Sequence, residues 1–275
     1  MTPFFSILVV CLNAGSKLEQ TITSIQAQDF TDYEIIVKDG GSTDGSLDFL
    51  KGQLRILQQK DSGIYDAMNQ AAEAARGRYV YFLNCGDFFA ERDVLSKIHS
   101  LILEKPAKHG IYYGNIFERL TGQCVPSNPS MDAFGCYRNV PCHQACFYQR
   151  ELLLEHPFDA GLAVRADYEQ FLACFFAGYQ GEKVTFWSAT MRAVDFQKPG
   201  KTGNVLREST ELLQNGICQK DRSGSTAFSW LLHWHLSGHG FPIMKRQREF
   251  TMLSRNESTD NRKEDRMYEK SIVDL

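Results

Sequence analysis

The sequence predicts an α/β protein with a mostly parallel central sheet flanked by helices, and three observations lead there. Apolar runs of strand length (Phe4 to Leu12, Tyr33 to Val37, Arg78 to Leu83) alternate with stretches of helical apolar spacing. The links between them are short. Each of these runs is followed by a polar turn, at Asn13, at Asp39 to Asp44 and at Asn84 to Asp87. In a parallel sheet such turns gather at the carboxyl ends of the strands, where open α/β sheets bind ligands.

At 275 residues and 31.3 kDa the chain is long enough to bury a large core. One α/β domain is expected over residues 1–220, then a helical extension over 221–253 and a disordered tail over 254–275, where charge is high and periodicity low. The net charge of -3 gives no global pull on nucleic acid and no local basic patch stands out, so nucleic acid is not an expected partner. The apolar run Ile7 to Leu12 is too short to span a bilayer, and the N-terminus lacks a signal-peptide pattern, which predicts a cytoplasmic protein. Eight cysteines are spread without a dense framework and read as reduced thiols.

In order along the chain, Phe4 to Leu12 is continuous and apolar, as suits a central strand covered on both faces. Asn13-Ala14-Gly15 breaks it. Ser16 with Glu19 reads as a capping box, and Leu18, Ile22 and Ile25 follow at helical spacing. Tyr33 to Val37 is the second strand, and Lys38 to Gly45 a turn whose glycines allow a ligand close to the backbone. Ser46 to Leu50 opens a helix, and Leu54 to Leu57 is a short third strand. After Asp61-Ser62-Gly63, residues Ile64, Met68, Ala71, Ala72 and Ala75 share a helical face that Gly77 closes.

The fourth strand, from Arg78, runs into Asn84-Cys85-Gly86-Asp87. Val94, Leu95, Ile98, Leu101 and Ile102 mark a helix ended by Pro106, and Ile111 to Asn115 a strand. Thr121 to Arg138 reads as a long loop, Gln144 to Tyr148 as a strand and Glu151 to Glu155 as a short helix. A helix from Ala166 to about Ala177 carries Asp167 near its N-terminus, where the helix dipole favours a carboxylate. Strands at Val184 to Trp187 and Ala189 to Phe196, a basic loop at Gln197 to Gly203 and helices over 205–218 and 226–237 complete the reading. The segment Phe228 to Leu232, with Met244-Lys245-Arg246 beyond it, reads first as a helix packed on the domain and second as a peripheral membrane contact.

Four motifs stand in order: Ile7 to Asn13, Val37 to Gly45, Asp61 to Asn69 and Phe82 to Asp87. Together they resemble the family 2 glycosyltransferases, whose GT-A fold is Rossmann-like. The segment Gly63-Ile64-Tyr65-Asp66-Ala67-Met68-Asn69 is similar to the subgroup found in bacterial colanic-acid and related exopolysaccharide clusters. The resemblance implies a nucleotide-sugar donor, UDP by default, and Mg²⁺ or Mn²⁺. It also implies inversion at the anomeric carbon in one displacement and a glycan or lipid-linked glycan acceptor. The chemistry explains the residue types: a hard cation on carboxylate oxygen neutralises a departing diphosphate, and a second carboxylate takes the acceptor hydroxyl's proton.

Carried over residue by residue, the resemblance makes Asp87 the metal ligand, with Asn84 and Gly86 where acids are usual. Asp39 matches the nucleoside-binding acid, and Gly40 stands where many members have a second one. Cys11, Asn13, Gly40, Gly41, Asp61, Asn69 and Asn84 match donor-site segments. Asp167 matches the general base, with Glu169 its nearest rival. His143, in Pro141-Cys142-His143-Gln144-Ala145, matches a subgroup motif and is expected at the diphosphate or acceptor, an internally satisfied histidine being the equal alternative.

Three other readings remain. The acids missing at Asn84 and Gly86 suit a nucleotide-sugar-binding homologue without catalysis. A nucleotidyltransferase would need a better phosphate loop than Asn13 to Lys17. Zinc at Cys136, Cys142, His143 and Cys146, or at His233, His235 and His239, lacks a paired Cys-x-x-Cys framework.

Overall fold

The computed structural model describes residues 2–50, 54–104, 109–119, 122–127, 131 and 140–191, with backbone alone at 109 and 186–191. The expected loop at 197–203, the helices over 205–218 and 226–237, the membrane-contact segment, the tail, Cys136 and the three histidines beyond 230 lie outside the described residues.

Strand β1 (Phe5–Cys11) is buried at every position, as its unbroken apolar sequence demands. It pairs in parallel with β2 (Tyr33–Asp39) on one side and β4 (Tyr79–Phe82) on the other. β3 (Arg55–Gln58) extends the parallel half beyond β2. On the far side of β4 come β8 (Cys146–Gln149), β6 (His109–Glu118), β9 (Gln180–Met191) and β5 (Phe88–Phe89), with β7 (Gln123–Val125) paired to β6. β8 runs antiparallel to both neighbours, whereas β6 and β9 are parallel. Nine strands thus form one sheet among the described residues.

Alternate residues of β1 face opposite layers. Leu8 and Val10 pack with Met68 and Ala71 of α2 (Ile64–Ala74), Leu152 and Leu153 of α4 (Arg150–Glu155), and Phe171 and Leu172 of α5 (Ala166–Phe176). Phe5, Ile7 and Val9 pack with Leu18, Ile22 and Ile25 of α1 (Ser16–Gln26), and with Val94 and Ile98 of α3 (Val94–Glu104). The sheet is covered on both faces, the α/β arrangement expected. Among the described residues no helix is long and apolar enough to cross a membrane.

Several local expectations change. The Ser16–Glu19 box does not form: Gly15 is the N-cap, without a side-chain cap, and its amide donates to Asp44 Oδ2 at 3.0 Å. A carboxylate from the next loop thus supplies the negative charge that the helix N-terminus favours. Ser46 to Leu50 yields a single 3-10 turn, Asp48–Leu50, among the described residues. Ile64 is 46% exposed, and the buried face of α2 belongs to Tyr65, Ala67, Met68, Ala71 and Ala72. The helix stops at Ala74 because Ala75 is already extended, and Gly77 instead donates its amide to Ser6 Oγ at 2.8 Å. The strands expected at Val184 to Trp187 and from Ala189 on are one strand, β9, as far as Met191; residues 192–196 lie outside the described residues.

His143, Gln144 and Ala145 form a 3-10 turn, and only Cys146 onward is strand. Tyr81 holds that turn. Its ring stacks on Phe147 and Phe89 at centroid distances of 4.2 and 5.1 Å, and its buried hydroxyl donates to the Gln144 carbonyl. Tyr81→Phe keeps the stack and removes the donor, so unfolding free energy in urea should fall by about 1–3 kcal/mol, the cost of an unpaired buried carbonyl.

Candidate active site

β1, β2 and β4 end at the same edge, and the turns leaving them meet there. Asp39 is the last residue of β2 and fully buried. Its Oδ2 accepts from the amides of Gly41 at 3.0 Å and Ser42 at 2.9 Å, while Oδ1 accepts from the Ser42 hydroxyl. The Cys11 thiol at 3.6 Å and Gln58 Nε2 at 3.5 Å lie against the same carboxylate. Burial pushes the Asp39 carboxyl up, but the Ser42 and Gly41 donors outweigh it and hold the group below its ordinary range. Asn13, with φ 49°, joins in: its amide donates to Ser42 Oγ at 2.8 Å and its Oδ1 accepts from Thr43 N at 3.0 Å. Cys11, Asn13, Asp39 and Gly41 are therefore one cradle. Asp39 shapes it from behind, and Asn13 sits on its exposed side.

Lys38 was not singled out from the sequence, and the structure buries it completely. Its Nζ donates to Gln59 O and Asp61 Oδ2, both at 2.7 Å, and to Asp39 O at 3.3 Å. The available signal was a lysine closing the run Ile35-Ile36-Val37, because a charge inside a covered strand needs a partner. Asp61, so held, occupies the space beside Gly40: a Cβ there would lie 2.8 Å from Asp61 Oδ2. Asn69 is not joined to the cradle. Both ends of its amide bond the Phe158 backbone, at 2.8 and 3.0 Å, and clamp α2 to the segment before α5.

The turn after β4 is fixed from α1. Thr21 Oγ1 accepts from Gly86 N at 2.9 Å and donates to Asp87 O at 3.0 Å, and Asp87 N donates to Asn84 O at 2.9 Å. Gly86 has φ 97°, where an L side chain is strained, so an acid in its place would have no comfortable backbone. Asp87, 5% exposed, offers hard carboxylate oxygen at a strand end, the donor type that Mg²⁺ and Mn²⁺ take.

Asn84 turns toward another partner. Its Nδ2 lies 3.1 Å from His143 Nε2, and His143 Nδ1 lies 3.5 Å from Asp167 Oδ2. Asp167 stands in the first turn of α5 behind Arg165, the N-cap residue, so it is not itself the cap. Its Oδ1 accepts from Tyr168 N at 2.9 Å, with the Tyr65 hydroxyl 3.4 Å away. That hydroxyl donates to Val164 O at 2.6 Å; burial, then the Asp167 charge, keep it protonated. Glu169, the rival base, feels burial and Asp159, which raise its carboxyl above the ordinary range.

Donor atoms of Cys142, His143 and Asp167 lie within 4.8 Å of one another, close enough to share an ion. Burial, then Asp167, push the Cys142 thiol up to about 12, and it donates to Gln144 Oε1. Cys146 is likewise raised by burial and donates to Cys142 O at 3.3 Å.

The profile of the family described as Glycosyl transferase family 2 matches residues 6–135. A PGL/p-HBAD biosynthesis glycosyltransferase of Mycobacterium bovis (strain BCG / Pasteur 1173P2) is 34% identical over 181 residues, covering 63% of this chain and 70% of that protein. Among solved structures, S. aureus TarS 1-349 superposes with TM-score 0.62 at 18% identity, covering 77% of this chain and 65% of that one. The mannosyltransferase PcManGT from Pyrobaculum calidifontis, in complex with GDP-Man and Mn²⁺, gives 0.58 at 16% identity over 94% and 82%. At these identities the structural likeness shows the fold.

The depressed Asp39 carboxyl has a consequence for stability. Its contribution is present above the unfolded carboxylate value and is lost as pH falls through the lower folded one. Asp39→Asn should therefore be clearly less stable than the parent at neutral pH, and denaturant midpoints measured at decreasing pH should converge in the acid range.

Proposed function

Because the chain belongs to glycosyl transferase family 2, we propose that it moves a sugar from a nucleotide-sugar donor, UDP-linked by default, to a hydroxyl of a glycan or lipid-linked glycan acceptor in bacterial surface polysaccharide synthesis. The observation that carries this reading is the Asp167 carboxylate. It is partly exposed, has one oxygen anchored, and is linked through His143 to the turn that bears Asp87.

In the proposed reaction the acceptor hydroxyl gives its proton to Asp167 as its oxygen attacks the anomeric carbon. The bond from that carbon to the diphosphate oxygen breaks on the opposite face, and the nucleoside diphosphate leaves with the electron pair. One displacement inverts the configuration. Asp87 would hold Mg²⁺ or Mn²⁺, which when bound supplies charge neutralisation for the departing diphosphate. The cradle of Cys11, Asn13, Asp39 and Gly41, with Asp61 beside Gly40, receives the nucleoside. A nucleotide-sugar donor is supported by TarS 1-349, solved in complex with UDP and with UDP-GlcNAc. A divalent ion is supported by PcManGT and by glucosyl-3-phosphoglycerate synthase from Mycobacterium tuberculosis, both in complex with Mn²⁺. The relative in PGL/p-HBAD biosynthesis supports a role in surface glycan assembly.

A second reading, a donor-binding homologue without catalysis, is favoured by the absence of acids at Asn84 and Gly86. One assay separates the two. Nucleoside diphosphate release from a donor panel, with and without Mg²⁺ or Mn²⁺, should show metal-dependent turnover. Asp167→Asn should then lower transfer about 10²–10⁴-fold, the usual worth of a general base, and leave the donor's thermal shift near that of the parent. Substantial transfer by Asp167→Asn would remove the base from this residue; donor binding without turnover in the parent would favour the second reading.

A further inference from the structure

We propose that His143 is a positioning residue, a neutral imidazole that presents its Nδ1–H to the Asp167 carboxylate while Asn84 fixes its tautomer from the opposite side. The inference rests on Asp167 being the base and adds how that base is aimed.

The protons can be assigned from chemistry. An amide Nδ2 can only donate, so the His143 nitrogen facing it, Nε2 at 3.1 Å, must offer its lone pair. The neutral ring then carries its hydrogen on Nδ1, toward Asp167 Oδ2 at 3.5 Å. The flipped amide would place an oxygen against Nε2, draw the proton there and turn a lone pair on Nδ1 against a carboxylate. In the orientation found both contacts of the imidazole attract, while the Asn84 Oδ1 is buried without a hydrogen-bond partner among the described residues. The 3.5 Å separation of Nδ1 from Asp167 Oδ2 is at the long limit of a hydrogen bond.

His143 is 7% exposed, and its turn is held at the Gln144 carbonyl by the Tyr81 hydroxyl, so the ring has little freedom to leave. The carboxylate is steered at both oxygens, by Tyr168 N–H at Oδ1 and by His143 at Oδ2. Tyr65 does not compete, because its proton is committed to Val164 O. What remains open is a lone pair on Oδ2, aimed by the imidazole. The arrangement needs an amide at Asn84: a carboxylate there has no proton to give Nε2 and would demand the other tautomer.

The test uses the full chain. His143→Ala should lower kcat about 10²-fold, the cost of a misplaced reacting group, with the donor KM close to the parent. His143→Asn, whose amide N–H falls near the place of Nδ1–H, should recover most of that loss. In the Asp167→Asn background His143→Ala should cost nothing further, since a residue that acts through the base has nothing left to aim. In the folded parent, ¹⁵N shifts of the His143 ring should report the Nδ1–H tautomer. A raised donor KM with unchanged kcat would overturn the proposal in favour of diphosphate binding. Additive losses in the double variant, or an Nε2–H tautomer, would overturn it as well. Asp167→Asn with parental turnover would instead remove the base assignment on which it stands.

Discussion

The parallel pairing of β1 with both β2 and β4 is the constraint from which the site follows. The chain lays down β2 and β3 on one side of β1, then crosses to place β4 on the other, so strand order reverses at β1. Crossovers leaving that point in opposite directions open a crevice at the carboxyl ends. Register sharpens it. Cys11 is opposite Asp39, whereas β4 stops opposite Leu8, so the last residues of β1 have a strand on one side only. The turn from Asn84 to Asp87 begins beside that step. Neither the cradle nor the Asp87 turn would face a common space if β4 continued to the end of β1.

Two carboxylates at this edge illustrate how burial and hydrogen bonding divide labour. Asp39 is enclosed and accepts from several donors, which stabilises its charge and makes it a structural anchor. Asp167 retains exposure and has one oxygen steered by a single imidazole. The difference between a residue that shapes a binding site and one suited to chemistry there lies in its surroundings.

The layered plan was legible because strands covered on both faces must be apolar throughout, and helices between them must be amphipathic. Phe4 to Leu12 and the Leu18, Ile22, Ile25 series carried that information. Sequence reasoning failed where a tertiary contact replaced a local one. Ser16 and Glu19 satisfy the local rule for a cap, but Asp44 reaches Gly15 from the next loop. Gln144 and Ala145 read as the start of a strand, but they form a tight turn with His143 that brings His143 between two partners. Those partners lie 59 and 24 residues away, so no spacing could reveal them. The candidate acids themselves were readable from their motifs; which nitrogen, oxygen or turn each would meet was not.

The packing of Asp61 against Gly40 bears on how this chain can diversify. Lys38, Gly40 and Asp61 share one small volume, with the lysine's charge answered by an acid that fills the room beside the glycine. Introducing an acidic side chain at position 40 would crowd one carboxylate with another, and removing Asp61 alone would strand a buried cation. The two positions are therefore coupled through the buried lysine, and neither the glycine nor the acid can be exchanged without disturbing the other.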